Sequence, residues 1–113
     1  MSKRSNKLLL EDILQSAIKI QRYTANKTLD TFLEDEILID AIFRNFEIIG
    51  EAANRLEETF KLSNNDINWI RISGLRNRII HEYFGIDLST IWKIKESYLP
   101  SLIVQITQLI QEL

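Results

Sequence analysis

The chain has 113 residues, of which 45% are hydrophobic and 27% are charged. This balance is typical of a globular protein and excludes an intrinsically disordered chain. A net charge of −2 and an isoelectric point of about 5.4 argue against broad electrostatic binding to nucleic acid. The sequence contains no cysteine, which excludes a disulfide framework and thiolate metal sites.

The N-terminal segment carries positive charges followed by a short apolar run, as a signal peptide does. The run ends at Glu11 and Asp12, too early for the apolar core of a signal peptide, and no apolar segment reaches transmembrane length. The sequence therefore predicts a single domain over residues 1–113, in a cytoplasmic protein with no membrane contact.

The first half of the chain predicts two helices. Apolar residues at spacings of three and four predict a first helix from about Asn6 to Ala25. Thr31 and Glu34 then have the spacing of a capping box. From there the apolar pattern runs without a helix breaker to Phe60. We therefore expect a long second helix of about thirty residues, or about 45 Å, whose far end packs outside the chain.

The second half predicts shorter helices separated by turns. Residues 63–66 have turn chemistry, and a third helix carries Trp69, Ile72 and Ile79 before it ends near residues 83–85. Asp87 can cap a short fourth helix, and Pro100 suits the first turn of a last one. The predicted fold is an all-α up-and-down bundle of four or five helices.

The chemistry-bearing residues cluster near the end of the third helix. His81 is the only histidine, and Arg76 lies five residues before it. Arginine can bind two phosphate oxygens, and histidine can take up or release a proton near neutral pH. RNA supplies its own 2′-hydroxyl nucleophile, so this pair suits RNA cleavage without a metal or cofactor. Arg71 and Arg78 lie in the same acid-free stretch and are candidate RNA contacts.

The spacing of these residues restricts how they can meet. Asn77 and His81 are four apart and share a helix face, whereas Arg76 and His81 lie about 140° apart around a helix. Either the helix loosens at His81, or the arginine reaches around, or a second chain completes the site. A two-fold dimer would also supply both a base and an acid. The alternative is that His81 is an ordinary polar residue near a helix C-terminus.

At these residues the sequence resembles the HepT-like proteins of the HEPN superfamily, small all-helical ribonucleases. Their R-x4-H-x-Y signature matches Arg76, His81 and Tyr83, and the third-helix segment INWIRISGLRNRIIHEYFGID is similar as a whole. The segment AIFRNFEIIGEAANRL, residues 41–56, is similar to their long second helix.

The resemblance implies a function for each of these residues. Arg76 and His81 correspond to the catalytic pair of a metal-independent endoribonuclease, supported by Asn77, with the motif at a homodimer interface. The resemblance further implies a toxin of a toxin–antitoxin pair. Its antitoxin would be a minimal nucleotidyltransferase of the MntA type, which inactivates the toxin by transferring AMP to Tyr83. Without the resemblance, Tyr83 is more readily interpreted as a packing aromatic.

A polar row precedes the motif on the predicted second helix. Arg44, Glu47 and Glu51 lie at spacings of three and four, as in a solvated row of ion pairs. Alternatively, Glu47 and Glu51 face the third helix in the dimer and bind Arg76 or Arg78. Gly50 favours the second interpretation, because a mid-helix glycine costs about 1 kcal/mol relative to alanine and so indicates close approach of a neighbouring backbone.

Two other classes of function remain compatible with the sequence. One is a non-catalytic helical partner that docks on a nucleotidyltransferase and presents a substrate to it. The other is a simple interaction bundle. The intact Arg76/His81 pair favours the ribonuclease, since docking alone requires neither residue.

Overall fold

The computed structural model describes residues 4–113, so the first three residues of the N-terminal segment considered above lie outside it. The described elements are α1 (Asn6–Thr24), α2 (Leu29–Glu34), α3 (Glu36–Arg55), α4 (Glu58–Ser63), α5 (Trp69–His81), a 3₁₀ turn (Tyr83–Gly85), α6 (Leu88–Ser97) and α7 (Leu99–Glu112). Within residues 4–113 there is no strand. The predicted all-α fold is confirmed, with seven α-helices in residues 4–113 where four or five were predicted.

The prediction of one long second helix was wrong, because that stretch forms three helices. The first break is at Asp35, whose side chain accepts a hydrogen bond from the Leu38 amide and so caps α3. The second is at Leu56 and Glu57, where Leu56 is buried in extended backbone. The Glu57 amide donates to Asn6 Oδ1 at 3.3 Å, which ties the break to the start of α1. Because α3 ends at Arg55, the surplus length that favoured an interface at its far end does not exist.

The capping box was predicted three residues too late. In the structure it begins α2, where Thr28 Oγ1 accepts from the Thr31 amide and Thr31 Oγ1 accepts from the Thr28 amide. A threonine hydroxyl therefore takes the place of the glutamate that usually completes this motif.

The remaining helix boundaries follow the predictions closely. The first helix begins at Asn6 and ends at Thr24, one residue before the predicted end. The predicted third helix is α5, which ends at His81 and passes into the 3₁₀ turn. Asp87 caps α6 by accepting from the Ser89 amide, and Pro100 lies in the first turn of α7.

Helix α3 lies at the centre of the bundle, because it packs on α1 along one face and on α5 along another, while α7 covers α1. Its buried residues recur at helical spacing and include Leu38, Ile42, Phe46 and Ile49. The α5 face of α3 carries the residues that position the candidate site. No helix in residues 4–113 has both the length and the apolar character needed to span a membrane.

Candidate active site

Helix α5 carries the candidate pair and remains helical to its last residue. Asn68 caps its start by accepting from the Arg71 amide at 3.0 Å, and the Glu82 amide donates to the Arg78 carbonyl at 2.8 Å after its end. His81 is therefore inside the last turn and exposed. The helix does not loosen before His81, which removes the first of the three ways in which Arg76 and His81 could meet.

Gly50 lets α5 approach α3 at Arg76. A Cβ atom on residue 50 would overlap Arg76 Cβ and lie 2.7 Å from Arg76 Cγ and 3.4 Å from Arg76 Cα. The close approach predicted at Gly50 is present, but it is made by Arg76 of the same chain, so Gly50 gives no support to a contact across a dimer. The consequence of this close approach is that the stem of Arg76 packs directly on the backbone of α3, so the position of the guanidinium depends on α3.

The guanidinium of Arg76 is only partly satisfied within the chain. Its Nη1 donates to Asn77 Oδ1 at 3.1 Å, and its Nε is buried without a hydrogen-bond acceptor among residues 4–113. Arg76 itself is half-buried, whereas Asn77 is exposed. The side chain is therefore fixed at its base by Gly50 and oriented at its tip by its neighbour Asn77.

Three contacts define the register of what we call the α3/α5 interface. Ser73 hydrogen-bonds Asn54, Arg76 packs on Gly50, and Tyr83 bonds Asp40 and contacts Phe43. The order is antiparallel.

Glu47 lies at helical spacing between two of these levels, since it comes four residues after Phe43 and three before Gly50 on α3. An α-helix brings residues three and four apart onto one face, so Glu47 belongs to the α5-facing row. Glu47 is half-buried there.

Tyr83 is bound to α3 through its hydroxyl and its ring. The hydroxyl donates to Asp40 Oδ1 at 2.6 Å, and the ring meets Phe43 edge-on with centroids 5.0 Å apart. The hydrogen bond to Asp40 raises the pKa of Tyr83, with smaller contributions from burial and from the charge of Asp40. Sequence reasoning missed Asp40. Its spacing of seven residues from Glu47 and ten from Gly50 was the available signal, since it places all three on one face.

The other predicted supporting residues form local pairs. Arg44 Nη1 lies 3.4 Å from Glu47 Oε1, and Arg78 Nε lies 3.6 Å from Glu82 Oε2. Neither Glu47 nor Glu51 is paired with Arg76 or Arg78 within residues 4–113. Their contact with these arginines across a dimer stays a prediction.

Arg71 lies one and a half turns before Arg76 and on another side of α5. It is exposed, and its guanidinium carbon lies 5.9 Å from the centre of the Tyr98 ring. Arg71 also lines a small, largely apolar cavity between α3, α5, α6 and α7. The structure therefore does not bring Arg71 together with Arg76 and His81. Asn77 and Arg78 lie between these two residues on the same helix.

Comparisons with known proteins agree on one family. The family model described as "Ribonuclease HepT-like" matches residues 13–109. The protein of Thermococcus cleftensis named "Probable ribonuclease HepT" is 37% identical over 100 residues, which cover 88% of this chain and 91% of that protein. The protein of Methanocaldococcus jannaschii named "Putative RNase MJ1380" is 37% identical over 102 residues, covering 90% and 94%.

A further relative is longer than this chain. The M. jannaschii protein named "Gamma-glutamylcyclotransferase and putative RNase MJ0434" is 37% identical over 107 residues, which cover 95% of this chain but 48% of that protein. The chain thus spans about half of that relative. No solved structure matches the chain.

Proposed function

The chain belongs to the ribonuclease HepT-like family, and on that premise we propose that it is a metal-independent endoribonuclease with Arg76 and His81 as its catalytic residues. The observation that carries the proposal is the construction of Arg76. A glycine on α3 admits its stem, Asn77 orients its tip, and an exposed histidine follows on the same helix. An arginine that only carries charge at the surface does not require a glycine opposite its stem, as Arg76 has in Gly50.

The proposed reaction uses the 2′-hydroxyl of RNA. His81 accepts the hydroxyl proton while the oxygen attacks the adjacent phosphorus, and the bond to the 5′-oxygen of the next nucleotide breaks. Arg76 stabilises the negative charge that builds on the phosphate oxygens. Asn77 keeps Arg76 oriented, and Arg78 adds positive charge for the RNA backbone, as does Arg71 at greater distance. These residues contact few phosphates. RNA affinity should therefore fall as the salt concentration rises, with a slope that reflects this small number of contacts.

We propose that the active form is a homodimer. The leaving 5′-oxygen needs a proton, and each chain has one histidine. Since α5 is helical throughout, Arg76 and His81 in one chain are about 7.5 Å apart along the axis and about 140° apart around it. Two α5 ends around a two-fold axis would place Arg76 of one chain near His81 of the other. In that arrangement Glu47 and Glu51 are candidates to pair with the arginines from the facing surface, and Arg44 is a supporting residue through its pair with Glu47.

We further propose that the protein is the toxin of a toxin–antitoxin pair, inhibited by a minimal nucleotidyltransferase of the MntA type. The Tyr83 hydroxyl would attack the α-phosphorus of ATP, form an oxygen–phosphorus bond, lose its proton and release pyrophosphate. What supports this is the position of the hydroxyl at the half-buried edge of the α3/α5 interface, two residues from His81. The added nucleotide carries negative charge into the region of Arg76.

The first experiment is cleavage of bulk RNA by purified protein in excess chelator. Wild type is compared with His81→Ala and Arg76→Ala, and Arg22→Ala is the matched control, since Arg22 is an exposed arginine on α1. Intact mass is measured first, to detect an adenylyl group on Tyr83. We expect cleavage by unmodified wild type and Arg22→Ala. Losing one such catalytic group should reduce the rate at least about a hundredfold in the other two variants.

Absence of cleavage by unmodified wild type would overturn the nuclease proposal. The chain would then fit better as a non-catalytic helical partner of a nucleotidyltransferase, with residues 76–85 as the surface presented to it.

Mixing two inactive variants tests the dimer. If the pair forms between chains, His81→Ala and Arg76→Ala mixed together build one complete Arg76/His81 pair in each mixed dimer. That dimer lacks the second histidine as proton donor, so only part of the cleavage returns. If the pair forms within one chain, the mixture contains no complete pair and stays inactive. The control is each variant mixed with itself at the same total concentration.

A further inference from the structure

The hydrogen bond between Tyr83 and Asp40 joins residues 43 positions apart in the chain. At 2.6 Å it has the length typical of a hydroxyl bound to a carboxylate, which is stronger than a bond between neutral groups. Asp40 is exposed, and none of the ion pairs within residues 4–113 includes it. Within residues 4–113 its partner is therefore the tyrosine rather than a cation.

The bond ties down the turn that follows His81. Tyr83 opens the 3₁₀ turn immediately after the α5 cap at Glu82. Beyond Tyr83, the turn offers little to hold it. Phe84 is 99% exposed, and a Cβ on Gly85 would have no atom of residues 4–113 beyond its chain neighbours within 4 Å. The attachments of the turn to α3 are thus the Tyr83 ring on Phe43 and the hydroxyl on Asp40.

We propose that Asp40 is a positioning residue, which fixes the end of α5 and hence His81 by holding the Tyr83 hydroxyl, and that modification of Tyr83 inactivates the protein by breaking this bond. The inference rests on the proposed nuclease function. Adenylyl transfer replaces the hydroxyl proton with an oxygen–phosphorus bond, so Asp40 loses its donor. The new phosphodiester is also negatively charged, and the carboxylate repels it.

This mechanism differs from simple obstruction of the site by the nucleotide. If the nucleotide only blocks the site, a tyrosine without its hydroxyl leaves the enzyme fully active. If Asp40 positions the end of α5, then Tyr83→Phe weakens the enzyme although nothing is added to it. The phenylalanine keeps the ring contact with Phe43 and removes only the hydroxyl.

The test measures kcat and KM for RNA cleavage by Tyr83→Phe, Asp40→Ala and their double variant. Because this hydrogen bond is near the surface, we expect kcat to fall about three- to tenfold in each, and the double variant to fall no further. Asp40→Asn retains an acceptor oxygen and should recover most of the activity. The matched controls are Tyr23→Phe on α1 and Asp30→Ala on α2, both expected to behave as wild type.

A second readout separates positioning from general loss of structure. In ¹³C-tyrosine spectra, the Tyr83 phenol of Asp40→Asn should titrate at lower pH than in wild type, since the charged acceptor is gone. Full activity of Tyr83→Phe and Asp40→Ala, or losses that add in the double variant, would overturn the role of Asp40 alone. A wild type that does not cleave RNA would instead overturn the proposed function, together with this inference.

Discussion

The two faces of α3 are held by different kinds of contact. Along the length of α3 the packing towards α1 is apolar, and the buried polar side chains there bond within their own helix, as Asn45 does to the Ala41 carbonyl and Thr24 to the Ile20 carbonyl. The polar contact between Asn6 and Glu57 lies beyond the end of α3. Towards α5, polar contacts cross from one helix to the other, at Asn54 and Ser73 and at Asp40 and Tyr83.

This difference separates stability from function. Apolar packing is non-directional and is proportional to the area removed from water, so the α1 side supplies stability without fixing any one group. The α3/α5 interface fixes directions, because hydrogen bonds and a glycine contact restrict where Arg76 and Tyr83 can lie. A catalytic site requires the second kind of contact.

The largest effect on stability should come from the α1 side. Ile13 is completely buried, and Ile13→Ala leaves a cavity that costs about 2–5 kcal/mol of unfolding free energy. Urea denaturation measures the loss, and RNA cleavage per folded molecule should stay near wild type. Ile18→Ala on the exposed side of α1 is the control. A selective loss of kcat in folded Ile13→Ala would contradict the division between the two faces.

Two glycines give a matched comparison at the α3/α5 interface. Gly50→Ala places a Cβ against Arg76, and such overpacking costs about 1–3 kcal/mol and displaces the arginine, so activity should fall with stability. Gly74→Ala on α5 meets nothing within 4 Å and should stabilise the helix by up to about 1 kcal/mol with normal activity. If both variants were stabilised and active, the contact would not position Arg76.

The sequence was sufficient for the helices whose ends carry local signals. Asp87 and Pro100 mark their boundaries by capping and backbone chemistry, which act within a few residues. The breaks at Asp35 and Leu56 were missed because neither carries glycine or proline and the apolar pattern continues across them. One of them depends on Asn6, whose side chain meets the Glu57 amide from 51 positions away. Periodicity within a segment cannot report such a contact.

The candidate site also combines features that the local sequence predicts with features that depend on distant contacts. The close approach at Gly50 followed from the cost of a mid-helix glycine, and the local pattern predicted the end of α5 to within two to four residues of His81. The partner of Tyr83 did not follow, since nothing near Tyr83 in the sequence indicates Asp40. The bond between Arg76 and Asn77 was also only half anticipated, because adjacent residues on a helix do not ordinarily face one another.

A smaller effect should come from Tyr98, which is the counterpart of Tyr83 at the cavity between α3, α5, α6 and α7. Its hydroxyl is buried without a hydrogen-bond partner in the described part of the chain, so Tyr98→Phe removes an unsatisfied group and should stabilise the protein by about 1 kcal/mol. Tyr83→Phe removes a satisfied hydroxyl and should destabilise it by less than about 1 kcal/mol. Urea denaturation of both at neutral pH measures the signs, and equal signs would contradict the contrast.

The smallest effect is the dependence of stability on alkaline pH. Burial raises the pKa of Tyr98, and the bond to Asp40 raises the pKa of Tyr83. In the unfolded chain both tyrosines ionise near pH 10, so above that pH the unfolded state binds fewer protons than the folded state and stability falls as pH rises. The contributions of the two tyrosines to stability are fully present below about pH 10 and disappear as pH passes the raised pKa values.

Denaturation series from about pH 9 to pH 11 should therefore show a shallower decline of stability in Tyr98→Phe, because one tyrosine with a raised pKa is removed. Asp40→Asn should also make the decline shallower, through Tyr83, while leaving Tyr98 unchanged. Comparing the two variants therefore gives the contribution of each tyrosine to the slope. An unchanged slope in the double variant Asp40→Asn/Tyr98→Phe would show that neither tyrosine accounts for the alkaline loss of stability.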